Sequence, residues 1–126
     1  MSELADQVCL PCHGGIPPLT DAEIAPLAAR VPEWRVEARH HLERRFTLPD
    51  FMSGVGLVNK IAEEAERAGH HPDLHLRWGE LRVEIYTHAI DGLAEADFVL
   101  AAKIDRVFAT TTATTTATTT APAPAR

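Results

Sequence analysis

Apolar residues follow two different spacings along the chain, and the changes of spacing mark the predicted elements. Between Trp34 and Leu48, and again between Leu74 and Tyr86, they occupy nearly every second position, which predicts two pairs of antiparallel strands. The first pair bends near His40-His41, and the second turns tightly at Gly79-Glu80. Arg44 is the charged exception on an otherwise apolar strand face.

Three other segments carry apolar residues at helical spacing. Thr20 to Glu23 is a capping box for the first helix, Pro49-Asp50 begins the second and Gly69 ends it, and the third runs from about Leu93 to Phe108. The predicted apolar stripes are Ile24, Leu27, Ala28 and Val31; Phe51, Val55, Val58, Ala62 and Ala65; and Leu93, Leu100, Ala101, Ile104 and Phe108.

The order α-β-β-α-β-β-α predicts an α+β fold, in which a single four-stranded antiparallel sheet carries three helices on one face. Residues 1–19 are dense in proline and glycine and are expected to form a flexible arm, residues 20–109 form the domain, and residues 110–126 form a disordered tail of Thr, Ala and Pro. The arm contains Cys9, Cys12 and His13 at the spacing of a haem attachment site, although an exposed, reduced cysteine pair is the favoured interpretation.

The charge balance argues against two classes of partner. The chain has 18 acidic and 12 basic residues, a formal net charge of -6, and no basic cluster, so binding to nucleic acid is not expected. Its apolar runs are too short for a membrane span or for a secretory signal, which predicts a cytoplasmic protein without a membrane partner.

Five ionisable residues are the candidates for chemistry: Glu66, His70, His71, His88 and Asp97. Glu66 and His70 share one face at the end of the second helix, while Asp97 falls on or beside the apolar stripe of the third. His70-His71 precede the second strand pair and His88 follows it, so all three imidazoles are expected at the open end of that hairpin.

Clustered imidazoles can act as acid and base together, because histidine titrates near ~6.5. A neighbouring carboxylate can fix the tautomer of a ring. Two other interpretations remain open on the residues alone: a polar corner without catalytic function, or a zinc site built from Glu66, His70, His71 and His88. Against zinc, adjacent histidines point in different directions, and the sequence contains no HExxH pair.

The spacing of Glu66, His70-His71-Pro72, Trp78, His88 and Asp97 resembles the signature of the pterin-4a-carbinolamine dehydratases. The similarity extends from about Thr20 to Phe108 and includes the segments GHHPDL, RWG, YTH and GLAEADFVLAAKID, as in bacterial members. The resemblance implies a hydro-lyase that removes water from 4a-hydroxytetrahydropterin to give quinonoid dihydropterin in tetrahydrobiopterin recycling, without a metal or an organic cofactor.

The resemblance also implies roles for individual residues. The acid-base residues would be His70, His71 and His88, and the substrate-binding residues would be Glu66, Gly69, Pro72, Tyr86, Thr87, Ala89 and Asp97. Trp78 is expected to pack in the core or in the pocket wall.

The expected partners are a small-molecule pterin, further copies of the chain in a homodimer or homotetramer, and an aromatic amino acid hydroxylase in functional coupling. The alternative is a non-enzymatic dimerisation or coactivator scaffold of the same fold. The sequence leaves open the natural pterin, its pathway, the oligomer size and which histidine is the acid.

Overall fold

The predicted order of elements is confirmed in the computed structural model, which describes the backbone of residues 17–118 and the side chains of residues 17–110. The fold is α+β. Its helices are α1 (Asp21–Ala28), α2 (Phe51–Ala68) and α3 (Glu95–Thr118), and its strands are β1 (Arg35–Glu37), β2 (His41–Thr47), β3 (Asp73–Arg77) and β4 (Glu80–Ile85). The Cys9, Cys12 and His13 motif lies outside the described residues.

The sheet has four antiparallel strands in the order β1-β2-β4-β3. On its inner face the side chains of Leu42, Phe46, Leu81, Val83 and Ile85 are buried. Helices α2 and α3 cover this face and α1 packs on α3, so the three helices lie on one side. The opposite face carries charged residues, among them the cross-strand pair Glu43 and Glu84.

Three helix ends form where the sequence predicts them: the start of α1 and both ends of α2. Thr20 accepts a hydrogen bond from the Glu23 N–H, and the Glu23 carboxylate accepts one from the Thr20 N–H, completing the capping box. Asp50 caps α2 through a 2.7 Å bond from the Ser53 N–H. Gly69 ends α2 with φ of 67°, the left-handed conformation that glycine adopts at least cost.

The apolar stripe predicted for α2 is confirmed at Ala65 and at Val58, which is partly buried against the core, whereas Phe51 and Ala62 are exposed. The buried residues of this helix are Gly54, Leu57, Ile61 and Ala65. Gly54 lies on this buried face, where a Cβ would lie 2.6 Å from Cδ1 of Leu76. The missing side chain lets β3 approach the helix closely on this face.

Three features also differ from the prediction: the hairpin turn, the position of Trp78 and the extent of α3. The hairpin turn comprises Trp78 and Gly79, whereas Glu80 already belongs to β4. Trp78 is 71% exposed at this turn, so its predicted position in the core or the pocket wall is wrong. Helix α3 begins at Glu95 and continues to Thr118, beyond the predicted end near Phe108 and into the segment expected to be a tail.

Arg44 belongs to the inner face because α3 supplies its counter-ion. Its guanidinium donates a 2.5 Å hydrogen bond to Asp105 and lies 4.4 Å from the centroid of the Phe46 ring. Trp34 Nε1 donates to the same carboxylate oxygen over 2.7 Å. Burial outweighs these contacts and raises the pKa of the Asp105 carboxyl above its ordinary value.

Among the described residues, no helix combines the length and the apolar character needed to cross a bilayer.

Candidate active site

One cavity of about 310 Å³ opens beside the C-terminal end of α2. It is lined by two segments of chain: Gly69, His70, His71, Pro72 and Asp73, and Tyr86, Thr87, His88 and Ala89. The three histidines singled out by the sequence therefore surround one concavity.

Two local features bring these segments together. The left-handed Gly69 turns the chain out of α2, so His70-His71 lie at the start of β3. Across the β3–β4 hairpin, the first residue of β3, Asp73, pairs with Glu84 near the end of β4. The residues before β3 and after β4 consequently meet at the open end of the hairpin.

His70 and Asp97 form the buried pair of the site. The Asp97 carboxylate is fully buried, and its Oδ1 lies 2.5 Å from His70 Nε2. Its Oδ2 accepts two further hydrogen bonds, from the Thr87 hydroxyl at 2.8 Å and from the Ala94 N–H at 2.7 Å. A single carboxylate thus connects both cavity segments to the first turn of α3.

His71 and Glu66 form the exposed pair. His71 Nε2 lies 2.7 Å from Glu66 Oε2, and the two side chains are 59% and 77% exposed. An ionised carboxylate only accepts hydrogen bonds, so the hydrogen lies on Nε2 and Nδ1 is the nitrogen that can accept a proton. The arrangement orients an imidazole while leaving it in contact with solvent.

His88 comes from the second segment and is held by an aromatic contact. It begins a short 3-10 turn, His88–Ile90, immediately after Thr87. Its ring packs edge-on against Tyr86, with the ring centroids 4.2 Å apart. His88 is exposed, so this imidazole can also exchange protons with water.

Most of the predicted site residues line the cavity directly. Glu66 and Asp97 do not line the cavity, but each contacts a histidine that does. Sequence reasoning missed Asp73, which follows the His-His-Pro elbow and lines the same cavity. It also missed His40, whose ring contacts Tyr86 at a centroid distance of 4.4 Å. No periodicity singles out His40, because it lies in a turn remote in sequence.

The geometry does not support the predicted zinc alternative. Among the residues whose side chains are described, the ligand atoms of Glu66, His70, His71 and His88 form no group close enough to share an ion. The group that does approach within 4.8 Å is His41, Glu43 and Glu84, on the face of the sheet opposite the helices. There Arg45 contacts Glu43 at 3.1 Å, and Arg82 contacts Glu84 at 3.4 Å.

Fold and site together define an α+β domain with a histidine-lined cavity of about 310 Å³. Residues 17–107 match the family described as pterin 4 alpha carbinolamine dehydratase. The chain belongs to this family, which confirms the resemblance seen in the sequence.

Individual relatives agree with the family match. A protein of Rubrobacter xylanophilus, provisionally assigned as a pterin-4-alpha-carbinolamine dehydratase, is 48% identical over 107 residues, covering 85% of this chain and all of the relative. A Rickettsia bellii protein with the same provisional assignment is 52% identical over 103 residues, covering 81% of this chain and 91% of the relative.

Solved structures share the fold. A crystal structure of a transcriptional coactivator/pterin dehydratase from Brucella melitensis superposes with a TM-score of 0.66 and 27% identity, covering 71% of this chain and 97% of that one. A pterin dehydratase-like protein identified as a RuBisCO assembly factor in the alpha-carboxysome gives a TM-score of 0.51, covers 60% of this chain and 88% of that one, and at 19% identity shows the fold alone.

Proposed function

We propose that the protein removes water from the 4a-carbinolamine of a tetrahydropterin by histidine acid-base catalysis. The observation that supports this best is the convergence of His70, His71 and His88 on one cavity, with carboxylates behind the first two. Family membership supplies the dehydratase chemistry and the pterin as substrate class. A cavity of about 310 Å³ is also of the size that proteins use for small molecules.

The reaction needs two proton transfers and no change of oxidation state. One imidazole accepts the proton from N5 of the pterin while another, protonated, donates to the leaving 4a-hydroxyl. The C4a–O bond breaks, water departs, and the new C4a–N5 double bond gives the quinonoid dihydropterin. Because the base gains one proton and the acid loses one, both return to their starting states by exchange with solvent.

The exposure of His71 and His88 fits that exchange, since both rings are accessible to water. His70 is buried and bonded to Asp97, which fixes its orientation at the inner wall of the cavity. Either exposed imidazole could serve as the base, and the other would then be the acid. Asp73, at the cavity edge, adds an acceptor that can bind amino or ring N–H groups of a pterin.

The test is a coupled assay in which an aromatic amino acid hydroxylase generates the carbinolamine and its absorbance decay is followed. Purified protein should accelerate the decay. His71→Ala and His88→Ala should each lower kcat by about a hundredfold, within the usual contribution of one acid or base. His75→Ala, a histidine in β3 outside the cavity, is the matched control. Equal activity in all three variants would refute the assigned roles.

Dialysis against a chelator separates this proposal from a metal-dependent reaction. Full activity after dialysis agrees with imidazole catalysis, whereas activity lost on dialysis and restored by zinc supports the metal alternative. A folded protein that leaves the decay rate unchanged would instead favour the coactivator scaffold.

Assembly, pathway and location are further parts of the proposal. The order of the strands leaves β1 and β3 at the sheet edges, where unpaired backbone groups can pair with a second copy. We expect a homodimer or homotetramer, measurable by light scattering after gel filtration, in which a monomeric mass would contradict the expectation. Coupling to an aromatic amino acid hydroxylase and a cytoplasmic location remain predictions.

A further inference from the structure

His40 contacts both ends of the turn that carries His88. On one side its ring lies against Tyr86, with centroids 4.4 Å apart and the planes inclined by 40°. On the other side its Nε2 lies 2.8 Å from Oδ1 of Asp91, whose side chain is 85% exposed, so solvent competes for this contact and the Tyr86 ring is the main support. Tyr86 and Asp91 are the residues just before and just after Thr87–Ile90, so His40 bridges this segment from outside the cavity.

The turn itself has one firmly held end. Thr87 and Gly92 exchange backbone hydrogen bonds of 2.9 and 3.4 Å, and the Thr87 hydroxyl donates to the buried Asp97. His88 and Ala89 are exposed and project beyond this bridge. Asp91 closes the 3-10 turn in a left-handed conformation with φ of 50°. The contacts of His40 are thus lateral supports for the residues that flank His88.

The backbone that presents His40 is strained. Ala38 and Arg39 have φ of 52° and 57°, and the His40 N–H donates to the Glu37 carbonyl over 2.8 Å. This geometry is that of a tight hairpin turn with two left-handed residues, where Asn-Gly is the usual pair. Residues with a Cβ persist in this conformation only where the surrounding contacts hold them. The Tyr86 and Asp91 contacts of His40 are such contacts.

We propose that His40 is a positioning residue that holds His88 at the cavity through Tyr86 and Asp91. The inference rests on the proposed function of His88 in acid-base catalysis. Asp91 Oδ1 only accepts, so His40 Nε2 donates, while the imidazole face supports the Tyr86 ring. Loss of both contacts releases the aromatic ring against which His88 packs, and a small displacement of a catalytic group lowers kcat more than it changes KM.

The test compares four variants with the wild type. His40→Ala removes both contacts, His40→Gln retains a side-chain amide that can donate to Asp91, and His40→Phe retains a ring for Tyr86. His75→Ala is the control, because His75 is a partly exposed histidine on β3 away from the cavity. We measure kcat and KM in the coupled assay, and amide hydrogen exchange of residues 86–92 by mass spectrometry.

For His40→Ala we expect kcat to fall by about tenfold with KM nearly unchanged, together with faster exchange of residues 86–92. His40→Gln and His40→Phe should each recover part of both effects, and His75→Ala should match the wild type. The proposal is overturned if His40→Ala exchanges like His75→Ala, or if its exchange rises while kcat stays at the wild-type value.

Asp91→Asn provides a second route that leaves His40 in place, since the amide weakens the charge-assisted contact. The Asp91→Asn substitution should raise the amide exchange of residues 86–92 by less than His40→Ala does. Unchanged amide exchange would contradict a supporting role for the contact between His40 and Asp91. Failure of the proposed function is distinguishable, because inactive wild-type protein would refute catalysis while the exchange comparison still decides whether His40 holds the turn.

Discussion

His70 and His71 are adjacent between α2 and β3, and each is paired with a carboxylate. One of these pairs is buried and the other is exposed. His70 and Asp97 are buried, and their carboxylate also binds Thr87 and the Ala94 N–H. His71 and Glu66 make a contact of similar length but are mostly exposed. The same chemical pair therefore lies in two environments, and burial decides how strongly solvent competes for the contact.

The buried pair organises the cavity. Asp97, in the first turn of α3, contacts His70 and accepts hydrogen bonds from Thr87 and from the Ala94 N–H just before the helix, so it joins the segments whose histidines line the cavity. The exposed pair has no such structural function. Solvent competes for both partners, and their contact orients a ring rather than holding segments together.

Replacing Asp97 should produce the largest effect. Asp97→Ala leaves the buried His70 Nε2, the Thr87 hydroxyl and the Ala94 N–H without their common acceptor. We expect the free energy of unfolding to fall by about 3–5 kcal/mol, as for other broken buried pairs, and the activity to fall with it. Urea denaturation measures the change. A loss below about 1 kcal/mol would mean that the site does not depend on this carboxylate.

Glu66→Gln tests the exposed pair and should separate stability from activity. We expect the free energy of unfolding to change by less than about 0.5 kcal/mol, because both side chains are solvated. The turnover number should fall by about tenfold, since the amide no longer fixes the hydrogen of His71 on Nε2. Glu63→Gln, a substitution about one helical turn away on the same helix, is the control. Equal turnover in the two variants would remove Glu66 from the site.

Asp105 is a half-buried carboxylate that contacts no histidine, and its replacement should give the smallest effect, confined to pH dependence. Because burial raises its pKa above 3.8, the folded state holds the proton more tightly than the unfolded chain. Its contribution to stability is present at low pH and is lost as pH rises from about 4 through the folded pKa. Thermal melts should show wild type losing stability relative to Asp105→Asn over that rise.

The activity of Asp105→Asn should equal that of the wild type at neutral pH, because Arg44 and Trp34, its partners, lie outside the cavity. A wild type that instead gains stability relative to the variant as pH rises would show that Arg44 outweighs burial.

Local chemistry predicted the ends of the elements better than their packing. As expected, helices begin after Thr20 and Asp50, and one ends at Gly69. These residues act through hydrogen bonds and backbone angles that depend on a few neighbouring residues. The buried face of α2 includes Gly54, whose close approach to Leu76 is defined by the tertiary structure. Arg44 is similar, because its counter-ion Asp105 is distant in sequence.

The candidate site likewise combines features that the sequence predicted with features that only the tertiary structure defines. The signature spacing identified the three histidines and their carboxylates, and hairpin geometry explains why they meet. The spacing did not distinguish the buried pair from the exposed one, although Asp97 lies on an apolar stripe. His40 lies outside the signature, and its contacts with Tyr86 and Asp91 depend on a strained turn that no hydrophobic pattern records.

The most direct test of the central claim is a binding map of a stable dihydropterin on the wild-type protein. We would titrate 7,8-dihydrobiopterin into 15N-labelled protein and follow backbone and imidazole resonances. We predict saturable shifts concentrated in residues 69–73 and 86–89, including the rings of His70, His71 and His88. Shifts concentrated instead on the outer face of the sheet, around Glu43 and Glu84, would contradict it.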